Sequence, residues 1–123
     1  MPKTSKAGAS QVRDFGLAED RSEVLDDVSV SFITILEAHD LAGPLATLPG
    51  GRCPCPHWGY VLKGRITVKY EDREEVYETG DAFCMTPGHV PGAEAGTEFV
   101  QFSPATQLAE VQAAMMKAMQ SGT

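Results

Sequence analysis

The chain has 123 residues, a length typical of one domain that buries roughly two-thirds of the surface its unfolded form would expose. Hydrophobic residues make up 42% and charged residues 22%, as in ordinary soluble globular proteins. Seventeen acidic and ten basic residues give a net charge of −7, and no basic cluster occurs beyond Lys3 and Lys6. This balance disfavours a nucleic-acid partner.

Membrane insertion and secretion are also disfavoured. No apolar run approaches the roughly 20 residues that span a bilayer, and residues 1–14 lack the apolar segment of a secretory signal. Three cysteines are an odd and low number, which argues against a disulfide framework and for a reducing compartment. We therefore expect a cytoplasmic protein without a membrane partner.

The predicted elements begin after a polar segment, residues 1–11, that we expect to be flexible. Residues 12–123 are predicted to form a single domain. The sequence VSVSFITILE at 28–37 alternates apolar and polar residues and then changes phase, which predicts a strand with a slip or bulge. A turn follows, and GPLATLPGG at 43–51 is predicted to be a short strand.

Several short strands separated by turns are predicted next. YVL ends at the turn Lys63-Gly64, and the following RITVKY alternates apolar and polar side chains. Further strands are predicted in VYE, AFCM and EFVQFS, with turns at Gly80-Asp81 and Pro87-Gly88. Turn residues at about every tenth position indicate an antiparallel sandwich or barrel.

The chain ends with a helical pattern over about residues 104–120. Ser103 and Pro104 fit an N-cap and a first helical position. Apolar residues then recur at helical spacing and predict a side that packs against the barrel or a second subunit: Leu108, Val111, Met115 and Met119.

The stretch CPCPHW contains the densest group of reactive side chains. Cys53, Cys55 and His57 lie at alternate positions, and the intervening prolines favour an extended backbone in which all three share one face. Thiolates and an imidazole suit Zn²⁺ and, less well, Fe²⁺. His89 follows a glycine turn on another predicted strand and is the candidate fourth ligand.

Other interpretations of the same residues are open. Cys-x-Cys is a tighter spacing than zinc-binding cysteine pairs usually have, and free cysteine is common in cores as a small hydrophobic residue. A thiol pair with a redox role is a further alternative. Cys84 lies within a predicted strand and is expected in the core, and His39 is expected in a turn.

Three segments, in their order and spacing, resemble the cupin superfamily: WGYVLKGRITVKY, VYETGDAFCMTPG and EFVQFSP. The resemblance covers about residues 28–103 and implies an all-β fold, a double-stranded β-helix (jelly-roll) barrel, here followed by one C-terminal α-helix. Small members of the family commonly pair, so the resemblance also implies a homodimer.

The resemblance places the family's first metal-binding motif at CPCPHW, with different residues at its ligand positions. Counting back from Gly64, His57 stands at the position of the family's glutamate and Cys53 at that of its second histidine. In the second motif Pro91 stands at the position of the metal-binding histidine, and His89 lies two residues earlier. The family's usual three histidines and one glutamate are therefore absent.

Two functions follow from these observations. In the first, Cys53, Cys55, His57 and His89 hold Zn or Fe in the barrel; an open coordination position permits catalysis, whereas four protein ligands make a structural site. In the second, a metal-free or non-catalytic cupin binds a small molecule as a sensor or carrier. Neither function specifies a reaction or a substrate.

Overall fold

The structure is a computed structural model that describes residues 2–121, with side chains through residue 117. The elements of this described chain are the strands β1 (Gln11–Asp14), β2 (Ala18–Leu25), β3 (Val28–Ile35), β4 (His39–Asp40), β5 (His57–Lys63), β6 (Arg65–Lys69), β7 (Glu74–Glu78), β8 (Ala82–Met85), β9 (Val90–Ala93) and β10 (Glu98–Pro104), and the helices α1 (Ala42–Leu45) and α2 (Ala105–Ser121), with a 3-10 turn at Pro49–Gly51.

The strands form two antiparallel sheets. One has six strands in the order β1-β2-β3-β10-β5-β8, and the other has four in the order β4-β9-β6-β7. The chain crosses repeatedly between the sheets, with β5, β8 and β10 in the first and β6, β7 and β9 in the second. This arrangement confirms the predicted all-β jelly-roll with one C-terminal helix.

The main core lies between the two sheets. Alternation along RITVK buries Ile66 and Val68 and leaves the residues at both ends exposed, because successive side chains of a strand point to opposite faces. These two side chains of the four-stranded sheet pack in one cluster with Tyr70, which follows β6, and with residues of the six-stranded sheet: Ala18, Ile35, Val61, Phe83, Met85 and Phe99. The predicted turn at Gly64 has φ +86°, and a Cβ there would lie 2.8 Å from Thr97 Cα, so the position requires glycine.

A second core cluster lies beneath the C-terminal helix. Leu108 and Val111 of α2 pack with Leu45 of α1 and with Cys53 and Cys55. The predicted apolar side of the helix thus contacts its own domain; Met115 packs at its edge, and the side chain of Met119 lies outside the described residues. Within the described chain, no helix is long and apolar enough to cross a membrane.

The structure corrects four local predictions. The six-stranded sheet begins with β1 and β2, before residue 28, the predicted start of the barrel. Strand β3 pairs with β2 in one continuous register, without the predicted slip. Residues 43–51 contain part of α1 and a 3-10 turn instead of a strand. Ser103 and Pro104 belong to β10, so the helix begins one residue later, at Ala105.

Candidate functional site

Cys53 is fixed beside His89 by an isolated antiparallel β-bridge. The Cys53 N–H donates to the carbonyl oxygen of His89 at 3.0 Å, and the Gly88 N–H donates to the carbonyl oxygen of Cys53 at 2.8 Å. Main-chain hydrogen bonds therefore bring together two residues that are far apart in the sequence. Their relative position does not depend on a long flexible side chain.

His57 is the first residue of β5, where it lies between the bridge and β10. Its Nδ1 is 2.6 Å from the Oγ of Ser103 on β10, and its Nε2 is 3.8 Å from the Sγ of Cys53. In the tautomer that donates Nδ1–H to the Ser103 hydroxyl, Nε2 keeps a lone pair directed toward the thiol. Such a hydrogen bond to the second ring nitrogen is typical of histidines that bind metals.

His89 has the same division of roles between its ring nitrogens. Its Nδ1–H donates to the carbonyl oxygen of Thr86 at 2.7 Å, so Nε2 is the nitrogen that carries the lone pair. This Nε2 is buried and has no hydrogen-bond partner among the described residues. The ring centroids of His57 and His89 are 4.8 Å apart, tilted by 58°.

Cys53, His57 and His89 thus form a three-donor cluster, in which one ligand atom from each residue lies within 4.8 Å of the others. Cys55 is buried but lies outside this cluster, with its Sγ 3.5 Å from the carbonyl oxygen of Pro56. Of the four residues proposed as ligands from the sequence, the structure therefore brings three together. Cys84 is exposed on β8, which corrects its expected place in the core.

Burial sets the charges of this cluster. It lowers the pKa of His57 to about 3, with a smaller contribution from neighbouring His89, whose own pKa is also lowered by burial. Both rings are therefore neutral near pH 7, as metal ligands must be. Burial raises the pKa of the Cys53 thiol, and burial together with Cys53 raises that of Cys55 to about 12.

The three-donor cluster has the donor types that bind transition-metal ions. Zinc binds nitrogen and sulfur at ~2.0–2.3 Å, so two ligand atoms of a tetrahedral zinc site lie roughly 3.5 Å from each other. The 3.8 Å between Cys53 Sγ and His57 Nε2 is close to that value. A bound cation also deprotonates a coordinating thiol, which offsets the raised pKa of Cys53.

The cluster opens onto an inner cavity of about 270 Å³. Most of its lining is apolar, and Ile33, Ile66 and Phe99 are examples; the polar residues Asp20 and Gln101 also line it. Neither of these two residues was predicted as part of a site, and Ser103 was predicted only as an N-cap. A signal was present in EFVQFSP, where Gln101 and Ser103 share a face with buried Phe99, because a polar residue on the inward side of a strand indicates a cavity or a site.

Comparisons with known proteins bear on the fold. No family model and no curated protein matches the sequence. A protein of unknown function from Rhizobium leguminosarum has 18% identity and a TM-score of 0.61, over 84% of this chain and 94% of that one. An RmlC-like cupin from Shewanella frigidimarina has 17% identity and a TM-score of 0.54, over 77% and 84%. FeII HppE has 11% identity and a TM-score of 0.58, over 84% and 60%.

Identities this low are informative about architecture alone. The segments that resemble cupin motifs lie within the two sheets, and of the three-donor cluster Cys53 and His57 stand at counted motif positions, whereas His89 lies two residues before the third. The chain has the fold of the cupin superfamily.

Proposed function

We propose that this cupin-fold protein binds one transition-metal ion through Cys53 Sγ, His57 Nε2 and His89 Nε2. The observation that carries the proposal is the state of His89 Nε2, which is buried, lacks a partner among the described residues, and faces the other two donors. A buried polar atom without a partner costs about 1–3 kcal/mol. A metal ion bound at this nitrogen removes that cost.

The donor set favours Zn²⁺ over Fe²⁺. One thiolate and two imidazoles are borderline-to-soft ligands that suit zinc, whereas non-haem iron sites commonly include a carboxylate. The cluster contains neither Asp nor Glu among the described residues. Iron is the second metal to test, because the structural neighbour FeII HppE is named with iron(II).

Three protein donors are characteristic of an open metal site, in which a further position is left for water or a substrate. The metal would supply Lewis-acid chemistry, polarising a bound oxygen or lowering the pKa of bound water. The chain orients the donors: Ser103 holds the His57 ring, and the Thr86 carbonyl holds the His89 ring. The largely apolar inner cavity gives a small molecule access to the site.

Metal content of the purified protein tests the proposal. The chain is produced without a histidine tag, purified without chelator, and analysed by inductively coupled plasma mass spectrometry. We expect close to one equivalent of zinc, or of iron, per chain. Less than about a tenth of an equivalent of any transition metal contradicts the proposal and favours the second function, a metal-free cupin that binds a small molecule in the inner cavity.

The two buried thiols provide a matched pair of variants. Cys53→Ala, His57→Ala and His89→Ala should each reduce metal occupancy, whereas Cys55→Ala should retain it, because its Sγ lies outside the three-donor cluster. Cobalt substitution adds an optical readout: a sulfur-to-cobalt absorption band should persist in Cys55→Ala and disappear in Cys53→Ala. Equal loss in both cysteine variants would show that the three-donor assignment is wrong.

Ser103 tests the orientation of His57. Removing hydrogen-bond partners of metal ligands commonly lowers metal affinity about 10–100-fold, and we expect a loss in this range for Ser103→Ala. Ser29→Ala is the control, since Ser29 is a buried serine directly opposite Ser103 in the β10–β3 pair. Competition with a chromogenic chelator measures both affinities; equal affinities in the two variants contradict a positioning role for Ser103.

A further inference from the structure

Arg13 is a cation at the wall of a largely apolar cavity, and the metal proposal does not use it. It lies on β1 directly opposite Asp20 of β2, so the two side chains share one face of the sheet, and both line the inner cavity. Its Nη1–H donates to Gln112 Oε1 of α2 at 2.9 Å, and Gln112 lines the cavity as well. The charged end of Arg13 therefore lies between β1 and α2, at the edge of the cavity.

This edge belongs to the mouth of the cavity. Residues that line a cavity and are also exposed to solvent mark its opening, and here they include Phe15, Leu17 and Met116, which are 39–44% exposed. The first two lie in the turn between β1 and β2, and Met116 lies on α2. A molecule that enters between these elements passes the half-buried guanidinium of Arg13 before its body meets the apolar walls.

Most of the hydrogen-bonding capacity of Arg13 is unused. A guanidinium has five N–H groups, and among the described residues this one donates only to Gln112 and, at 3.5 Å, to Gln11 Oε1. Both partners are neutral amides, and no carboxylate oxygen of a described residue lies within 4.0 Å of its nitrogens. Because a guanidinium is always protonated in proteins, the positive charge at this position does not depend on a pKa.

The two acidic side chains that line the cavity do not occupy the guanidinium. Asp40 is exposed, and its Oδ1 accepts the N–H of Ala42 at 3.0 Å. Asp20 attracts Arg13 electrostatically, but from beyond 4.0 Å. Attraction between opposite charges falls with distance, so a carboxylate in direct contact, at roughly 2.8 Å, is attracted more strongly than Asp20 is.

We propose that Arg13 binds the carboxylate of a small organic acid whose hydrocarbon body occupies the inner cavity. The two oxygens of a carboxylate match the planar fork of a guanidinium and can accept two parallel hydrogen bonds. The cavity of about 270 Å³ has the volume of roughly nine water molecules at ~30 Å³ each, and its apolar walls favour hydrocarbon. The three-donor cluster lines the same cavity, but recognition by Arg13 uses the protein alone.

Three probes of similar shape test the charge that the site selects. Cyclohexanecarboxylate is the anion, cyclohexanecarboxamide is its neutral counterpart, and cyclohexylmethylammonium is a cation. Dissociation constants are measured by ligand-observed NMR with the full chain, both as purified and after chelation, since a bound metal ion could itself hold a carboxylate. We expect the carboxylate to bind roughly tenfold more tightly than the carboxamide in both samples, because hydrogen bonds between charged groups are the stronger ones. The cation should bind most weakly.

Variants at Arg13 assign this preference. Arg13→Gln should abolish it, whereas Arg13→Lys should retain part of it, because lysine keeps the charge and loses the fork. Arg21→Gln is the matched control: it removes the same charge from β2, where Arg21 pairs with Glu19 at 2.7 Å and does not line the cavity. Circular dichroism verifies that each variant is folded.

Gln112→Ala separates ligand binding from a structural role of Arg13. It removes the hydrogen bond to α2 and leaves the guanidinium in place, so the preference for the carboxylate should persist. A loss equal to that in Arg13→Gln would mean that Arg13 only holds α2 in position, and would overturn the proposal.

Other results would refute it as well. These are undetectable binding of the carboxylate, a preference unchanged in Arg13→Gln, or tighter binding of the cation, which would mean that the acidic side chains dominate the cavity. A preference seen only before chelation would mean that the metal, and not Arg13, holds the acid. Because the chelated protein is measured, absence of metal in the purified chain refutes the metal proposal without affecting this one.

Discussion

His57 is an imidazole held almost entirely away from water, with 6% of its surface exposed. Burial, followed by the effect of His89, lowers its pKa to about 3, and the His89 ring beside it is likewise buried with a lowered pKa. At neutral pH the two rings are uncharged, so their lone pairs are free for a metal. The same burial makes the metal-free protein sensitive to acid, because a charge on His57 is disfavoured in the folded state.

We predict that the metal-free protein loses stability as the pH falls from about 6.5 toward about 3. In this window the unfolded chain binds a proton at His57 that the folded chain does not, so the free energy of unfolding rises with pH. One such group contributes at most about 1.4 kcal/mol per pH unit. Urea unfolding of chelated protein at several pH values measures the slope.

The His57→Gln variant isolates this contribution. It should show a shallower pH dependence than the parent. The comparison between variants is needed because Asp20, whose pKa is raised, contributes with the opposite sign: its stabilising effect is lost as the pH rises above about 3.8. Identical slopes in His57→Gln and the parent would contradict the prediction.

At the scale of secondary-structure elements, the position of β5 depends on a glycine. A Cβ at Gly59 would overlap the carbonyl oxygen of Val100 on β10 and lie 2.5 Å from Cζ of Phe83 on β8. Strands β8 and β10 belong to the same sheet as β5, so neither strand can move away from Gly59 without disturbing the core. His57 lies two residues away on the same strand, so a shift of β5 also displaces a metal donor.

We predict that Gly59→Ala lowers the free energy of unfolding by about 1–3 kcal/mol or more, the usual cost of overpacking, and also reduces metal occupancy. The control is Gly43→Ala in α1, where a Cβ would meet no atom within 4 Å. That change should be neutral or slightly stabilising, because alanine favours helix. Chemical denaturation measures both; equal stabilities would show that the strands adjust without cost.

The elements that the sequence predicted well are those with apolar alternation. RITVK identified β6 because Ile66 and Val68 alternate with polar residues. Strand β2, AEDRSEVL, could not be identified in this way, because its inward positions include Asp20 and Ser22 and no regular apolar period appears. The apolar period is absent because β2 faces the inner cavity. Its absence therefore indicates a candidate binding site.

Part of the candidate site could be predicted from the sequence, because two of its residues are close together in the chain. Alternation along CPCPHW predicted Cys53, Cys55 and His57 on one face, and the structure brings the donor atoms of Cys53 and His57, with that of His89, within 4.8 Å of one another. The separation of Cys55 from the cluster was not predictable, since it follows from the bridge between Cys53 and His89 and from packing beneath α2. Ser103 depends on the register of β5 with β10, which a single sequence does not specify.

For the whole molecule, the unusual feature is the outer face of the six-stranded sheet. Trp58, Tyr60 and Leu62 of β5 are each about half exposed, and Trp58 is paired with Phe102 of β10. Exposed aromatic patches of this kind mark interaction surfaces. With a net charge of −7, two copies repel each other at long range, and a contact between these apolar side chains adds no like-charged pair to that repulsion.

The cupin resemblance implies a homodimer, and we propose that two copies pair through this face, around a two-fold axis that brings Trp58 and Phe102 of each copy into one apolar contact. Sedimentation velocity should then detect a dimer whose dissociation constant rises at least tenfold in Trp58→Glu, because the change buries an unpaired charge in the contact. Val76→Glu is the matched control, since Val76 is exposed to a similar extent but lies on β7 of the other sheet. A parent protein that is monomeric at all concentrations tested, or a dimer disrupted by Val76→Glu and not by Trp58→Glu, would refute pairing through this face.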